Sequence, residues 1–211
     1  MSGSPTPQGT FPLGRQARLA VLASGRGSNM LALLRAFPAT NPLGRVALVI
    51  SNMAGAAALE SAQNAGVDAQ YVPWPDRAAF EAEAGRLLRD AEIDVVCLAG
   101  FMRLLSPAFV GAWAGRLVNV HPSLLPSFPG LDAHGQALRA GVAESGCSVH
   151  LVDAGVDSGP VILQRRVKVL PGDDSAALAA RVLVEEHEAY PEALRRLLTG
   201  EWRPPAVEAT S

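Results

Sequence analysis

The sequence of 211 residues predicts an α/β fold in which a mostly parallel sheet is covered by helices on both faces. Two observations support this prediction. Short apolar runs of strand length alternate with segments of helical periodicity, an order that is typical of parallel sheets. The runs are also almost continuously apolar, as expected for strands that are buried on both sides. At this length we expect a single folded domain.

Seven segments are predicted to form strands, most of them short apolar runs bounded by residues that favour turns. The first, ARLAVLA, runs into a glycine-containing turn, and the second is RVALVIS. The runs DVVCLA and CSVHLV contain the two cysteines, which we interpret as small buried hydrophobic residues. In chain order, the predicted strands cover residues 17–23, 45–51, 68–73, 94–99, 117–120, 147–152 and 160–170.

Five segments have the features of helices. The second is rich in alanine and stops at Gly66, since glycine commonly ends a helix. The third is amphipathic and has Asp76 in the position of an N-cap, and the long final helix has Asp174 or Ser175 near its start. The predicted helices cover residues 29–37, 54–65, 76–90, 135–140 and 174–198.

The two ends of the chain differ in composition from the rest. Residues 1–15 are rich in Ser, Pro and Gly and lack the apolar stretch of a secretory signal. We therefore expect a flexible leader over 1–15, one domain over 16–200 and a flexible tail over 201–211. No run approaches the ~18 apolar residues of a membrane span. We expect a soluble cytoplasmic protein with no membrane partner.

The composition excludes several kinds of chemistry. The 18 basic and 20 acidic residues leave a net charge of −2, whereas proteins that bind nucleic acid usually have a basic excess, so we expect no such partner. Lys168 is the single lysine, so no Gly-Lys-Ser/Thr phosphate loop exists and one residue at most could form a Schiff base. With two cysteines and no His-Glu-x-x-His motif, the sequence predicts no metal site.

In a Rossmann-like sheet of this kind, ligands bind beyond the carboxyl ends of the strands. The turn Ser24–Asn29 (SGRGSN) opens a predicted helix, whose backbone N–H groups suit a phosphate. Met30 stands where a dinucleotide fingerprint has its third glycine, and a plain tight turn is the alternative. The segments that follow the predicted strands are 24–29, 51–52, 100–105, 119–126 and 153–160.

Asn119 and His121 are two residues apart at a strand end, so both face the same side. A histidine can transfer a proton near neutral pH, and an asparagine amide can donate to a developing oxyanion. The alternative is a histidine that is simply hydrogen-bonded in a polar loop. An aspartate in the segment DAGVDSGP could orient His121, although ordinary turn chemistry explains that spacing more simply.

The remaining polar residues are interpreted as structural. His134 lies in a predicted loop, His187 in the final helix, and His150 within an apolar strand, where it faces either the same sheet end or the core. From the pattern alone, Glu185 and Glu186 form a solvated helix face. The three tryptophans are interpreted as packing residues.

Six stretches of the chain, which cover roughly residues 18–200, resemble the phosphoribosylglycinamide formyltransferases, the folate-dependent enzymes of purine synthesis. The run Asn-x-His-Pro-Ser-Leu-Leu-Pro also resembles methionyl-tRNA formyltransferase and formyltetrahydrofolate deformylase. The stretches are SGRGSN at 24–29, LAGFMRLLSPAFV at 98–110, GRLVNVHPSLLPSFPG at 115–130, GCSVHLV at 146–152, DSGPVILQ at 157–164 and EEHEAYP at 185–191.

The resemblance implies transfer of a formyl group from 10-formyltetrahydrofolate, used as a co-substrate, to the amine of glycinamide ribonucleotide, without a metal. It implies a formyltransferase domain whose N-terminal half holds the ribonucleotide phosphate and whose C-terminal half holds the folate. The implied partners are small molecules, and the implied assembly is a monomer or homodimer. The implied catalytic residues are Asn119, His121 and Asp157, and the ribonucleotide-binding residues are Gly27, Ser28, Asn29 and Glu186. The implied folate-binding residues are Arg77, Met102, Arg103, Leu104, Leu105, Asn119, Asp153, Ala154, Gly155, Val156 and Asp157.

Two positions depart from the pattern of that family, Arg26 in the glycine turn and Ser158, and neither removes a needed group. Three alternatives stay open at this point. A formyltetrahydrofolate deformylase usually has an extra N-terminal domain, and a methionyl-tRNA formyltransferase usually has a C-terminal domain for tRNA. The third alternative is a non-catalytic module that binds a nucleotide at the glycine turn.

Overall fold

The computed structural model describes residues 11–25 and 27–203, and this part of the chain contains seven strands and six helices. The strands are β1 (Ala17–Ala23), β2 (Gly44–Ser51), β3 (Asp68–Tyr71), β4 (Val95–Leu98), β5 (Leu117–His121), β6 (Glu144–Leu151) and β7 (Val161–Lys168). The helices are α1 (Ser28–Ala36), α2 (Ala57–Asn64), α3 (Arg77–Asp90), α4 (Pro107–Ala112), α5 (Ala133–Arg139) and α6 (Ser175–Thr199).

The strands form one sheet in the order β3-β2-β1-β4-β5-β6-β7. The first five strands of this order are parallel, whereas β6 is antiparallel to both β5 and β7. The predicted Rossmann-like, mostly parallel sheet is therefore confirmed. The chain moves outward from β1 to β3 and then returns to place β4 on the other side of β1. This reversal leaves a crevice at the carboxyl ends of β1 and β4, where open α/β sheets bind ligands.

Helices cover both faces, because alternate residues of the central strands supply two separate cores. Leu19 and Val21 of β1 pack on the side of α1, α2 and α6, whereas Ala20 and Leu22 pack on the side of α3 and α4. All four side chains are buried. A strand that buries both faces must be apolar at every position, which explains the unbroken apolar runs in the sequence.

The helix α6 is attached to the middle of the sheet through Tyr190. This side chain is fully buried, and its hydroxyl lies 3.1 Å from the carbonyl oxygen of Leu98 and 2.9 Å from that of Val118. These carbonyls belong to β4, which borders the crevice, and to β5 beside it, so the contact holds α6 against this part of the sheet.

The structure differs from the sequence-based elements mainly at their ends and at α4. The predicted caps Asp76 and Asp174 are confirmed, since each side chain accepts a hydrogen bond from the first turn of its helix. The sequence analysis missed α4, which has six residues and too few turns to show a helical period. Its signal was local, because Ser106 caps the helix and Pro107 occupies its first position. β6 begins at Glu144, three residues before the predicted start.

The predicted flexible ends are in part packed. Phe11 and Leu13 contact the core, and Arg15 pairs with Asp94 over 2.7 Å, which corrects the boundary placed after residue 15. Trp202 also packs on the core, so residues 201–203 join the domain as well. The rest of the predicted leader and tail, residues 1–10 and 204–211, and the departure at position 26 lie outside the described residues. Over the ranges 11–25 and 27–203, no helix is long and apolar enough to cross a membrane.

Candidate active site

The carboxyl end of β5 carries two polar side chains on one face of the sheet. Asn119 and His121 are two residues apart in the strand and therefore point to the same side. In the neighbouring strand β6, His150 lies opposite Asn119 and Ser148 lies opposite His121. The register between β5 and β6 thus gathers four polar side chains on one face.

Asp157 joins this group from the loop that connects β6 and β7. The sequence pattern places that loop at the edge where the parallel strands end. In the structure, β6 runs antiparallel to β5, so the carboxyl end of β6 lies beside the amino end of β5. The loop folds back over the sheet and brings Asp157 Oδ2 to 3.2 Å from His121 Nδ1. The structure therefore brings Asn119, His121 and Asp157 together, although one of them arrives from the opposite edge.

Both ring nitrogens of His121 face hydrogen-bond acceptors. Nδ1 faces the carboxylate of Asp157, and Nε2 lies 2.9 Å from the carbonyl oxygen of Phe128. A neutral imidazole has a single N–H group, so the ring donates to both acceptors only in its charged form. The buried ring is thus held between Asp157 and Phe128.

The surroundings of Asp157 favour its charged form. Burial is the largest single influence and raises the pKa of the carboxyl. Hydrogen bonds from His150 and from the Gly130 N–H, together with the charges of His121 and His150, act in the opposite direction and bring the pKa below its ordinary value. The Gly130 N–H donates to Oδ2 over 2.9 Å. Asp157 is therefore a carboxylate at neutral pH.

The backbone is strained around this cluster. Phe128, Asp132 and Asp157 have φ values of 56°, 57° and 52°, and in the described part of the chain Glu92 is the one other non-glycine residue with positive φ. This conformation costs free energy for residues with a side chain, and such residues concentrate at functional sites. The strain supports a site here independently of the hydrogen bonds.

His150 belongs to this cluster, although the sequence analysis interpreted it as structural. Its Nε2 lies 3.2 Å from Asn119 Nδ2 and 3.5 Å from Asp157 Oδ1, while Nδ1 lies 2.9 Å from the carbonyl oxygen of Leu151. Nδ1 faces a carbonyl oxygen and therefore carries a proton, whereas Nε2 lies within reach of both the Asn119 amide and the Asp157 carboxylate. Nε2 accepts from the amide when it is unprotonated and donates to the carboxylate when it is protonated. The contact with Nε2 orients Asn119, whose second amide hydrogen is left to point away from the ring. The signal in the sequence was the alternation of CSVHLV, which allowed His150 to face either the sheet end or the core.

The other two histidines differ in their surroundings. Burial lowers the pKa of His134, and the charge of nearby His121 lowers it further. His134 thus lies beside the cluster of Asn119, His121 and Asp157, and its buried Nδ1 has no hydrogen-bond partner among the described residues. Burial also lowers the pKa of His187, which lies on α6 near Arg35, outside this cluster.

The turn after β1 leads directly into α1. Gly27 is the N-cap residue with φ 74°, and no side chain in the described ranges caps the helix or places an acidic group in its first turn. The first N–H groups of a helix have no acceptor within the helix, and the positive end of its dipole favours an anion. The structure therefore places the predicted phosphate-binding residues Gly27, Ser28 and Asn29 together in one turn.

Replacing Gly27 by alanine is expected to distort this turn. A Cβ at this position would lie 2.8 Å from the Cβ and 3.2 Å from the Cα of Ala58, and the residue would keep an unfavourable positive φ. Overpacking costs about 1–3 kcal/mol and a positive φ about 1–2 kcal/mol, so we expect a loss of roughly 2–5 kcal/mol in the free energy of unfolding. Gly25→Ala is the matched control, since a Cβ there meets nothing within 4 Å. Urea denaturation of both variants would contradict this account if they were equally stable.

Glu186 approaches the same turn from α6. Its Oε2 accepts a hydrogen bond of 2.6 Å from Asn29 Nδ2, across 157 residues of sequence. Glu186 is 8% exposed, so its interpretation as part of a solvated face is wrong. Burial raises the pKa of this carboxyl, and the hydrogen bond from Asn29 offsets part of that effect. Asn29 Oδ1 is buried and has no hydrogen-bond partner in the described part of the chain. Asn29 and Glu186 together therefore present acceptor atoms beside the turn.

The segment between β4 and α4 places apolar side chains on the surface. Met102 and Leu104 are 73% and 70% exposed, whereas Leu105 packs partly against the core. The guanidinium of Arg103 lies 5.4 Å from the centre of the Trp74 ring, a cation–π contact. Exposed apolar side chains in one short segment favour a binding surface.

The start of α3 lies beside this segment. Arg77 is the first residue of α3 and is exposed, and Asp76 caps the helix. Trp74 packs against Phe80 of α3 at 4.8 Å between ring centres, and the same indole lies beneath Arg103. The predicted folate-binding residues Arg77 and Arg103 are therefore neighbours of one aromatic cluster.

The loop before Asp157 is held by its own side chains. Asp153 Oδ1 accepts hydrogen bonds from the Gly155 N–H over 3.0 Å and from Ser158 Oγ over 2.8 Å. Val156 is 56% exposed. A largely apolar cavity of about 300 Å³ lies between this loop and α4, with Asp153 and Ala154 in its wall. Asn119, His121 and Asp157 do not line this cavity, and of the predicted folate-binding residues Asp153 and Ala154 alone do.

Comparison with known proteins gives consistent matches over most of the chain. The sequence profile of the family described as formyl transferase matches residues 17–194. The chain is 49% identical over 191 residues to the trifunctional purine biosynthetic protein adenosine-3 of Drosophila pseudoobscura pseudoobscura, a match that covers 88% of this chain and 14% of that protein.

Two bacterial proteins match along nearly their whole length. The phosphoribosylglycinamide formyltransferase of Escherichia coli (strain K12) is 47% identical over 176 residues, which cover 82% of this chain and 83% of that one. The crystal structure of glycinamide ribonucleotide transformylase 1 from Symbiobacterium toebii superposes with a TM-score of 0.86 at 44% identity, covering 95% of this chain and 97% of that one.

Proposed function

The chain belongs to the formyl transferase family, as its motifs predict, and on this basis we propose that it transfers the formyl group of 10-formyltetrahydrofolate to the amine of glycinamide ribonucleotide. The products are formylglycinamide ribonucleotide and tetrahydrofolate. The observation that carries the proposal is the contact of the His121 ring with the Asp157 carboxylate beside Asn119, at the end of β5 and near the crevice of the sheet. The bacterial relatives of this name support the enzyme class.

Asn119 stabilises the negative charge that develops on the formyl oxygen. One hydrogen of its amide is directed to His150, over 3.2 Å, which holds the side chain in place. The other hydrogen is free to donate to the oxyanion. A donor held in advance costs no reorganisation during the reaction, which is why such groups contribute strongly to catalysis.

His121 handles the protons of the transfer. The attacking amine loses a proton and the folate nitrogen gains one, and an imidazole next to a carboxylate can mediate both events. Asp157 holds the ring through Nδ1, and Nε2 donates to the Phe128 carbonyl. For His121 to act on the substrate, Nε2 must exchange this carbonyl for a substrate atom or a water molecule. The reaction therefore includes a local movement of the chain at Phe128.

The ribonucleotide binds at the turn before α1. The backbone N–H groups of Gly27, Ser28 and Asn29 hold its phosphate at the helix end. Glu186 and the unpartnered oxygen of Asn29 accept hydrogen bonds from ribose hydroxyl groups. This assignment gives the buried Glu186 carboxyl a donor that compensates for its removal from water.

The folate binds along the exposed segment and the loop before Asp157. Met102, Leu104 and Val156 offer apolar surface to a flat pterin ring, and backbone groups of the two segments satisfy its polar edge. Arg77 and Arg103 provide positive charge for the carboxylates of the glutamate tail. The chemistry of these side chains therefore fits the co-substrate.

Small molecules are the proposed partners of the protein, and the cytoplasm is its proposed compartment. For its assembly we propose a monomer or a homodimer.

A spectrophotometric assay of tetrahydrofolate release, with and without glycinamide ribonucleotide, tests the proposal. We expect release that depends on the ribonucleotide. Equal release without it indicates a deformylase, and release that requires methionyl-tRNA indicates the tRNA enzyme. Absence of release under all three conditions leaves the non-catalytic nucleotide-binding module.

A further inference from the structure

Ser24 directly follows β1, at the point where the strand order of the sheet reverses. On one side it precedes the turn that carries Gly27. On the other side it contacts the end of β4, because its N–H donates to the Gly100 carbonyl over 3.2 Å and its hydroxyl oxygen accepts from the Met102 N–H over 3.0 Å. One residue thus joins the phosphate turn to the segment that holds Met102 and Leu104.

The hydroxyl of Ser24 is oriented by a third contact. It donates its proton to Asn52 Oδ1 over 2.7 Å, and Asn52 is buried at the end of β2. A hydroxyl group has one hydrogen and two lone pairs, so this commitment leaves a lone pair to receive the Met102 N–H. The hydrogen bond from the Met102 N–H therefore goes to a hydroxyl group whose own proton is donated to Asn52.

The other end of the segment between β4 and α4 is held against α3 by different contacts. Ser106 donates to Glu81 of α3 through its backbone N–H over 2.6 Å and through its hydroxyl over 2.5 Å. Glu81 fixes the segment against α3 and has no contact with the phosphate turn among the described hydrogen bonds. Among the described hydrogen bonds, the segment is thus held at these two points, and of the two the Ser24 contact is the one beside the phosphate turn.

We propose that Ser24 is a positioning residue that couples the two substrate sites, so that a bound ribonucleotide strengthens the binding of folate. This inference rests on the proposed function, since it assigns the phosphate turn to the ribonucleotide and the segment at Met102 to the folate. A ribonucleotide bound at the turn after Ser24 restrains the main chain of Ser24 and, with it, the oxygen that accepts from the Met102 N–H. Folate then binds a segment whose main chain is already in place, which reduces the entropy that its binding must remove.

Titration calorimetry of tetrahydrofolate with and without glycinamide ribonucleotide measures this coupling directly. Tetrahydrofolate carries no formyl group, so the two ligands bind together without reaction. The ratio of the two Kd values is the coupling factor, and by linkage it is the same in either order of addition. We expect a factor of roughly 5 or more in the wild type, the lower end of typical coupling between sites. In Ser24→Ala the factor should fall to about 1, while Ser24→Thr, which keeps the hydroxyl, should restore most of it.

Glu81→Ala is the matched control, because it removes the other attachment of the same segment. It should weaken tetrahydrofolate binding on its own and leave the coupling factor unchanged. If Ser24→Ala does not fold, Asn52→Ala tests the same contact by releasing the hydroxyl proton. A wild type without coupling, or a Ser24→Ala or Asn52→Ala variant that keeps the wild-type factor, overturns the inference. Formyl transfer by the wild type is measured separately, so failure of the proposed function is distinguished from failure of the coupling.

Discussion

Replacing His121 by alanine is expected to lower kcat by roughly 10²–10⁴-fold, the usual contribution of a positioned proton-transfer group. The ring is buried and both its nitrogens are hydrogen-bonded, so its place is determined by Asp157 and the Phe128 carbonyl. Because neither the phosphate turn nor the segment at Met102 contacts this ring in the described hydrogen bonds, KM for both substrates should change little. Steady-state kinetics of tetrahydrofolate release would measure both parameters.

The control for this variant is His187→Ala, which removes a histidine outside the cluster. We expect His187→Ala to keep kcat close to that of the wild type. Thermal unfolding shows whether either protein has lost its fold. A His121→Ala enzyme that keeps its kcat and loses affinity would assign the ring to binding instead of proton transfer.

The second large effect is expected for Asp157→Asn, again a loss of roughly 10²–10⁴-fold in kcat. Asparagine tolerates the positive φ of 52° at this position, so the backbone is preserved. Gly130 N–H and His121 Nδ1 both contact Asp157 Oδ2, so an amide oxygen in that place still accepts from both, and the NH₂ group faces His150 Nε2. The variant therefore keeps these contacts and removes the negative charge that favours a protonated ring during proton transfer.

The same substitution has a consequence for stability in acid. The pKa of Asp157 is lowered in the folded protein, so its charge contributes stability that is complete above the unfolded value of about 3.9. This contribution is lost as the pH falls through the folded pKa. The Tm of the wild type should therefore decrease more steeply than that of Asp157→Asn below about pH 4. Parallel curves in that range, or a variant with wild-type kcat, would remove the basis for the assigned role of the carboxylate.

Much of the fold could be predicted from local patterns. The apolar runs located all seven strands, and the caps Asp76 and Asp174 marked the starts of their helices within one residue. These features depend on neighbours in the sequence, so a single chain reveals them. The six residues of α4 were missed because so short a helix shows no periodicity.

Part of the candidate site could not be predicted from local patterns. Glu186 lies in a run of four polar residues, 185–188, that resembles a solvated face, but α6 turns this position toward Asn29 and buries it. His150 occupies an alternating strand position that was compatible with either face of the sheet. Its role depends on the partner strand, which lies about thirty residues earlier in the chain.

The sequence by itself determined the order of strands and helices, the glycine turn before α1 and the pair Asn119 and His121, because periodicity and turn chemistry act over a few residues. The tertiary structure alone decided that β6 runs antiparallel to β5, with His150 opposite Asn119. A shift of this register by one residue would turn His150 to the other face of the sheet. The same packing folds the loop of Asp157 back onto His121 and joins Ser24 to Met102. These contacts link segments far apart in sequence, and the burial of both faces of the sheet selects them.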